Sequence, residues 1–403
     1  MLTPSRPGPR PAAPSALASR PRRARRQSPG LEVLEGRQLL SLGAELVGNA
    51  FGDGPQELPV TASAPDGRSV VAWVDRTNPS NRRIEFRLFK ANGTTTALDT
   101  TVQASGANAS DPSVAMDQNG NFVVTWSQQD NVLAQRFNAN GGALGGVITV
   151  AGTGLIENSP DVAMDRNGNF VVVYEQASSA NPSTTRDVAA KRFSSGGTFL
   201  GASNTFSGPG FQELRPSVAM ASDGRFAIAY EFFANGNEGN SQIFAISYNA
   251  NGTSNASSLV AGSAAEEEKP DIAMRDNGEY TVVYQKGPFA NTDIKAQRVS
   301  FNGTAFGEIN ISNSSRREVD PRIVMNRNGF GFVVAFDSFG SGGSRVGVVE
   351  VKGNNQVNFT TTVTAAINPA LSLGPEGQYQ LAYQRTANGS NNVFRRRGSG
   401  LAN

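Results

Sequence analysis

Short apolar runs alternate with glycine-bearing polar turns along almost the whole chain. Residues 112–126 read PSVAMDQNGNFVVTW: a proline, a brief apolar run, an Asp-Gln-Asn-Gly turn, and a β-branched run ending in tryptophan. Residues 160–174 repeat that order as PDVAMDRNGNFVVVY. An eight-residue interval from proline to glycine recurs seven times, starting at Pro59, Pro112, Pro160, Pro216, Pro270, Pro321 and Pro369. Six residues past the glycine stands an aromatic, as Trp73, Trp126, Tyr174, Tyr230, Tyr284 and Tyr383; in the sixth copy Phe336 is displaced by one. Every methionine beyond Met1 takes one position of the repeat, as Met116, Met164, Met220, Met274 and Met325. Copies spaced 48 to 56 residues apart mark a repeat architecture.

Each copy predicts four strands. The first opens after the proline, where a missing N–H harms a ladder least. Asp-x-Asn-Gly then closes a tight hairpin, glycine supplying the positive φ. FVVTW-type runs form the second strand, and VLAQRF, DVAAKRF or DIKAQRV the third. A further glycine turn leads to a fourth, such as VITV or INIS. In the sixth copy the additional residue in NGFGF predicts a bulge. Four antiparallel strands repeated seven times predict an all-β fold, a seven-bladed β-propeller. The last copy stops after its third strand, and residues 42–54 align with residues 144–154, a fourth strand with its exit loop. The N-terminal strand is therefore expected to complete the last blade and remove an open edge. The propeller is placed at 42–398, with a short tail at 399–403.

Composition changes the picture in three ways. With 44 glycines and 17% charged residues in 403, the chain suits a turn-rich β protein. It has no cysteine and no histidine, which removes disulfides, thiolate zinc sites, His-ligated metals and Ser-His-Asp or Cys-His catalysis together. The formal charge of +2 is produced by seven arginines in the first 30 residues; the remainder holds 29 basic against 34 acidic residues, a balance of −5. A basic tail on an acidic body argues against nucleic-acid binding. No apolar stretch is long enough for a membrane span.

Residues 1–30, rich in Pro, Arg, Ser and Ala, predict a disordered leader. Without an apolar run of 7–15 residues they do not read as an ordinary signal peptide. Residues 31–41, LEVLEGRQLLS, resemble the LEPR-XLL motif that opens many surface or exported proteins of planctomycete-type bacteria, departing from it with Gly36-Arg37 after Glu35. That resemblance implies export or envelope association. Over roughly residues 51–397 the repeats resemble units found in arrays in large secreted bacterial proteins: a glycine-rich turn, FVVTW, a variable loop, AQRF and an Asn-Gly turn. This implies an exported, non-catalytic repeat domain.

Candidate chemistry is sparse. Asp117 and Asp165 in their turns suit a hairpin better than calcium, which needs six to eight oxygens. The methionines read as core filler, and Arg136, Arg192 and Arg298, at one repeat position, as cross-strand or inter-blade partners. No catalytic residue, metal or cofactor is expected. Long, dissimilar loops between second and third strands and between blades share one face, where recognition usually resides. There Phe211, Phe232, Phe233, Phe289 and Phe339, with Glu175, Glu231 and Asp337 as polar neighbours, are the candidate ligand-binding residues; the alternative is that the phenylalanines fold inward. Glu266-Glu267-Glu268 and Arg316-Arg317 are expected as solvated charge. The expected function is a secreted or envelope binding or scaffold module for carbohydrate or protein, acting as a monomer. The alternative is a propeller glycoside hydrolase or lyase with acids, Tyr and Arg around the central channel.

Overall fold

The computed structural model describes residues 42, 44–49, 54–95, 99–102, 108–177, 186–203, 211–234, 241–327, 329, 331–387 and 389–398. The leader at 1–30, the motif at 31–41 and the tail at 399–403 lie outside them. Among the described residues seven antiparallel sheets of four strands form seven blades. Blade 2 shows the unit, with strands Ser110–Met116, Phe122–Gln128, Asn131–Phe137 and Ile148–Ala151. The inner strands of the others are Gln56–Ser63, Glu157–Met164, Phe211–Met220, Glu267–Met274, Arg317–Met325 and Ala366–Leu373. No helix among the described residues is long and apolar enough to cross a membrane.

The blades pack face to face because the first six residues of each second strand are buried. Trp126 is fully buried in one cluster with Val70, Phe86 and Phe122, which joins blades 1 and 2. Removing a side chain of that size from water contributes roughly 3 kcal/mol. In the first turn, Asp117 Oδ1 accepts the N–H groups of Asn119 and Asn121, both at 2.8 Å. Gly120 there takes φ 81°. The repeated Asp-x-Asn-Gly is thus a self-capped hairpin.

Two expectations are corrected. The proline does not precede the inner strand but lies within it, at a bulge: the ladder skips between Glu57 and Val60, between Ser110 and Ser113, and likewise in all seven blades. The bulge lifts that position out of the ladder, so the missing N–H costs no sheet bond. The residue before each proline is left-handed: Leu58, Asp111, Ser159, Arg215, Lys269, Asp320 and Asn368 have φ between 49° and 55°. In the sixth blade the additional residue makes no bulge in the ladder. Met325 pairs with Phe332 as Met116 pairs with Phe122. The Asn326 N–H reaches Gly331 O at 3.1 Å, one residue further than the Asp117 N–H reaches, so the turn absorbs the insertion.

Leu46–Val47 forms the outer strand of the last blade, opposite Arg395 and Phe394. Glu45 beside it accepts hydrogen bonds from Tyr383, Arg385 and Arg396. The ring closes as the repeat count predicts.

Candidate functional site

The axial channel opens into a cavity at each end. At the turn-bearing face the cavity is about 870 Å³, walled by Met116, Met164, Met220, Met274 and Met325 with Ala62, Ala115, Ala163 and Ala219. The methionines therefore occupy the channel wall as well as the core. The carboxylates at its rim are consumed locally: Asp117 Oδ2 and Asp165 Oδ2 each accept a side-chain N–H of the turn asparagine at 2.8 Å. Among the described residues no group of three acids is placed to hold a metal.

The opposite mouth, about 620 Å³, is ringed by six of the seven repeat prolines and by all seven left-handed residues that precede them. Most polar side chains around it stitch one blade to the next. Bulging the inner strand leaves the N–H of the left-handed residue without a ladder partner, and the second strand of the preceding blade supplies one. Glu175 Oε1 accepts from Arg215 N at 2.8 Å and Asp337 Oδ2 from Asn368 N at 3.1 Å. Gln285 and Gln384 take Asp320 N and Leu58 N, both at 3.4 Å, and Glu231 takes Lys269 N. A second stitch lies one step past the proline. Asp161 Oδ2 accepts Val218 N at 2.8 Å, and Asp271 Oδ2 accepts Ile323 N at 2.7 Å. Ser217 Oγ lies 3.1 Å from Asp161 Oδ2 and 2.8 Å from Asp271 Oδ1, donating between them. A third stitch is on the turn face, where the repeat arginines reach carbonyls of the next blade: Arg136 to Ser195 O at 2.6 Å, Arg192 to Ala250 O at 3.3 Å, Arg298 to Gly353 O at 3.1 Å.

Burial governs the electrostatics of these stitches. It pushes the Glu231 carboxyl up to about 7 despite the facing Arg215 guanidinium. Asp337 also rises to about 7 by burial, with the Asp320 charge adding to it. Asp271 is likewise raised, opposed by Arg322.

The predicted site residues separate into groups. Glu175, Glu231 and Asp337 are buried seam clamps. Phe233 is buried, while Phe211 and Phe232 stack on one another with centroids 5.3 Å apart. Phe289 stands 73% exposed, and the Arg317 guanidinium lies 4.0 Å from its ring centroid and 5.8 Å from that of Phe339. Glu267 is not solvated, as the sequence suggested, but fully buried: it accepts Ser263 N at 3.2 Å and Ser263 Oγ at 2.5 Å, closing the inter-blade loop. Glu157 does the same for Thr153, at 3.1 Å from its N–H, and Glu318 takes Ser314 Oγ at 2.7 Å. The signal was present as Ser/Thr four residues before Glu, three residues ahead of the repeat proline.

No protein-family model matches the chain, and no curated protein matches it. Solved structures do. A protein of unknown function from Dyadobacter fermentans is 9% identical, covering 90% of this chain and 99% of that one, with a TM-score of 0.52. The polysaccharide lyase Uly1 is 10% identical over 92% and 94%, with a TM-score of 0.56. A PL25 ulvan lyase bound to -[GlcA(1-4)Rha3S]- is 9% identical over 87% and 95%, also at 0.56. At such identities the likeness is one of fold.

Proposed function

We propose that this chain is a non-catalytic binding module, secreted or held at the cell envelope, that takes carbohydrate on its loop-rich face. The observation that carries the reading is Phe289, an aromatic ring 73% exposed and braced from behind by the Arg317 guanidinium at 4.0 Å. No interior contact requires a phenylalanine there, and a braced flat ring is the surface that stacks on a sugar face. The polar residues around the channel are engaged in seams, which leaves little for catalysis. The envelope assignment rests on residues 31–41 and the repeat resemblance. A glycan-array screen tests the first part, with Phe289→Ala abolishing the signal. Fractionation of native cells tests the second; recovery only from cytosol would overturn it.

The enzymatic alternative has one observation in its favour. Asp337 is buried beside the loop-side mouth, raised to about 7, and its Oδ1 has no hydrogen-bond partner among the described residues. Polysaccharide turnover lost in Asp337→Asn, with folding retained, would favour that reading.

A further inference from the structure

We infer that the loop-side end of blade 6 reads the charge of an anionic polysaccharide, one carrying carboxylate or sulfate groups, and this rests on the carbohydrate-binding reading above. Arg316, Arg317 and Arg345 converge on the tip of one hairpin. Arg316 donates to Ser338 Oγ at 2.7 Å, to Ser338 O at 2.9 Å and to Gly343 O at 2.6 Å. Arg345 pairs with Ser338 across the ladder, and Arg317 with Phe339. The hairpin is built of glycine where the guanidiniums rest on it. A Cβ on Gly340 would lie 2.6 Å from Arg316 Nη1, and one on Gly342 3.1 Å from Arg345 Nη2.

These arginines are held but not neutralised. Among the described residues none of the three is in an ion pair, in contrast to Arg215 of blade 4 and Lys269 of blade 5, which face Glu231 and Asp320. The Nε atoms of Arg317 and Arg345 are buried without a hydrogen-bond partner. Glu318, the acid nearest in sequence, is turned inward to Ser314 and raised by burial, with Arg316 opposing the rise; it forms no ion pair with the three among the described residues. One guanidinium against an exposed aromatic ring, with two more free of ion pairs at the same hairpin, makes a surface for an anion attached to something flat. Planar forks of this kind pair with carboxylate and sulfate oxygens. The three guanidiniums gather at one hairpin on a body whose balance outside the leader is −5. A nucleic-acid duplex, with a charge about every 1.7 Å, calls for an extended basic stripe instead. A glycan with one charge per sugar or two matches a patch of this size.

The test measures binding of the full chain to polygalacturonate and dextran sulfate, with methyl-esterified polygalacturonate, dextran and single-stranded DNA alongside. The expected result is retention by one or both anionic glycans, weakening as salt rises, and little by the neutral polymers. Arg317→Gln with Arg345→Gln should reduce affinity at least tenfold with unchanged circular dichroism. Phe289→Ala, at an exposed position that folding does not need, should lose binding similarly, and Arg166→Gln on the turn face should not. Equal binding to charged and neutral glycans, or full affinity in the double variant, overturns the charge reading and leaves the carbohydrate module standing. Single-stranded DNA bound as tightly as the glycans overturns the choice of polymer. No retention by any glycan overturns both readings.

Discussion

Val47 lies directly opposite Phe394 in the outer ladder of the last blade, so strands from opposite ends of the chain meet there. The pairing is only two residues long, Leu46–Val47, too short to hold by backbone bonds alone. Side chains reinforce it: Asn49 Oδ1 accepts Val393 N at 3.0 Å, and Glu45 gathers Tyr383, Arg385 and Arg396. Deleting residues through Asn49 should therefore expose the third strand of blade 7, Ser390–Gly398, as an unpaired edge. Size-exclusion chromatography should show aggregates in place of the wild-type peak. Glu45→Gln, which leaves the strand in place, should lower the melting temperature without that loss. A truncated chain that remains dispersed and melts like wild type would contradict the closure argument.

The seam between the last blade and the first has its own fastening. The Arg395 guanidinium lies 3.6 Å from the Phe89 ring centroid, donates to Gln380 Oε1 at 3.1 Å and reaches Gly93 O. Burial, with help from Arg397, pushes its pKa down to about 10; the charge persists at neutral pH because these partners replace water. Arg395→Ala removes both packing and hydrogen bonds, and should cost roughly 3 kcal/mol. Denaturant titration reads this directly. Arg395→Lys should recover only part, because an ammonium cannot lie flat on the ring and reach both acceptors.

The ring was legible because its cause is periodic. Proline, glycine, aromatic and methionine fall at fixed offsets, and burial of Trp126 between blades or the left-handed Gly120 turn demands those residue types. The seams were harder to read because their chemistry is spread between copies. Glu175, Glu231, Gln285, Asp337 and Gln384 do one job with three residue types, so no motif marks it, and three of them were assigned to a ligand instead. The arginines of blade 6 were visible as Arg316-Arg317, but their lack of ion-pair partners depends on where Glu318 turns. Folding, not local sequence, decides that.

The turn-face latch makes a prediction about glycine. Gly252 has φ 85°, and a Cβ there would lie 2.2 Å from Arg192 Nε; Gly154 has φ 84° and nothing within 4 Å. Gly154→Ala should cost about 1–2 kcal/mol from backbone strain alone, and Gly252→Ala more, because it also evicts the guanidinium that bonds Ala250 O at 3.3 Å. Removing the guanidinium first should relieve that excess. Gly252→Ala with Arg192→Ala is thus expected to cost less than the sum of the two single changes. Simple additivity in denaturant titrations would mean the contact does not act.

Two of the clamps on the left-handed N–H groups titrate with burial and two carry no titratable group. Asp337 and Glu231 are raised by burial to about 7 from ordinary values of 3.8 and 4.5, whereas Gln285 and Gln384 hold the equivalent N–H groups without titrating. A carboxyl raised on folding keeps a proton in the native chain that the unfolded chain has released. Between the two values the native state binds more protons, so stability falls as pH rises, and the penalty is complete above about 7. At about 1.4 kcal/mol per pH unit, each group costs on the order of 4 kcal/mol across that window. Thermal melting should accordingly give a higher midpoint at pH 5 than at pH 8. Asp337→Asn and Glu231→Gln copy the protonated clamp, keeping an oxygen for Asn368 N and Lys269 N while removing the charge. Each should raise the midpoint more at pH 8 than at pH 5 and flatten the profile between. A wild-type midpoint that does not fall from pH 5 to pH 8, or a slope that both substitutions leave intact, would show that these carboxyls are ionised in the seams and that burial does not control them.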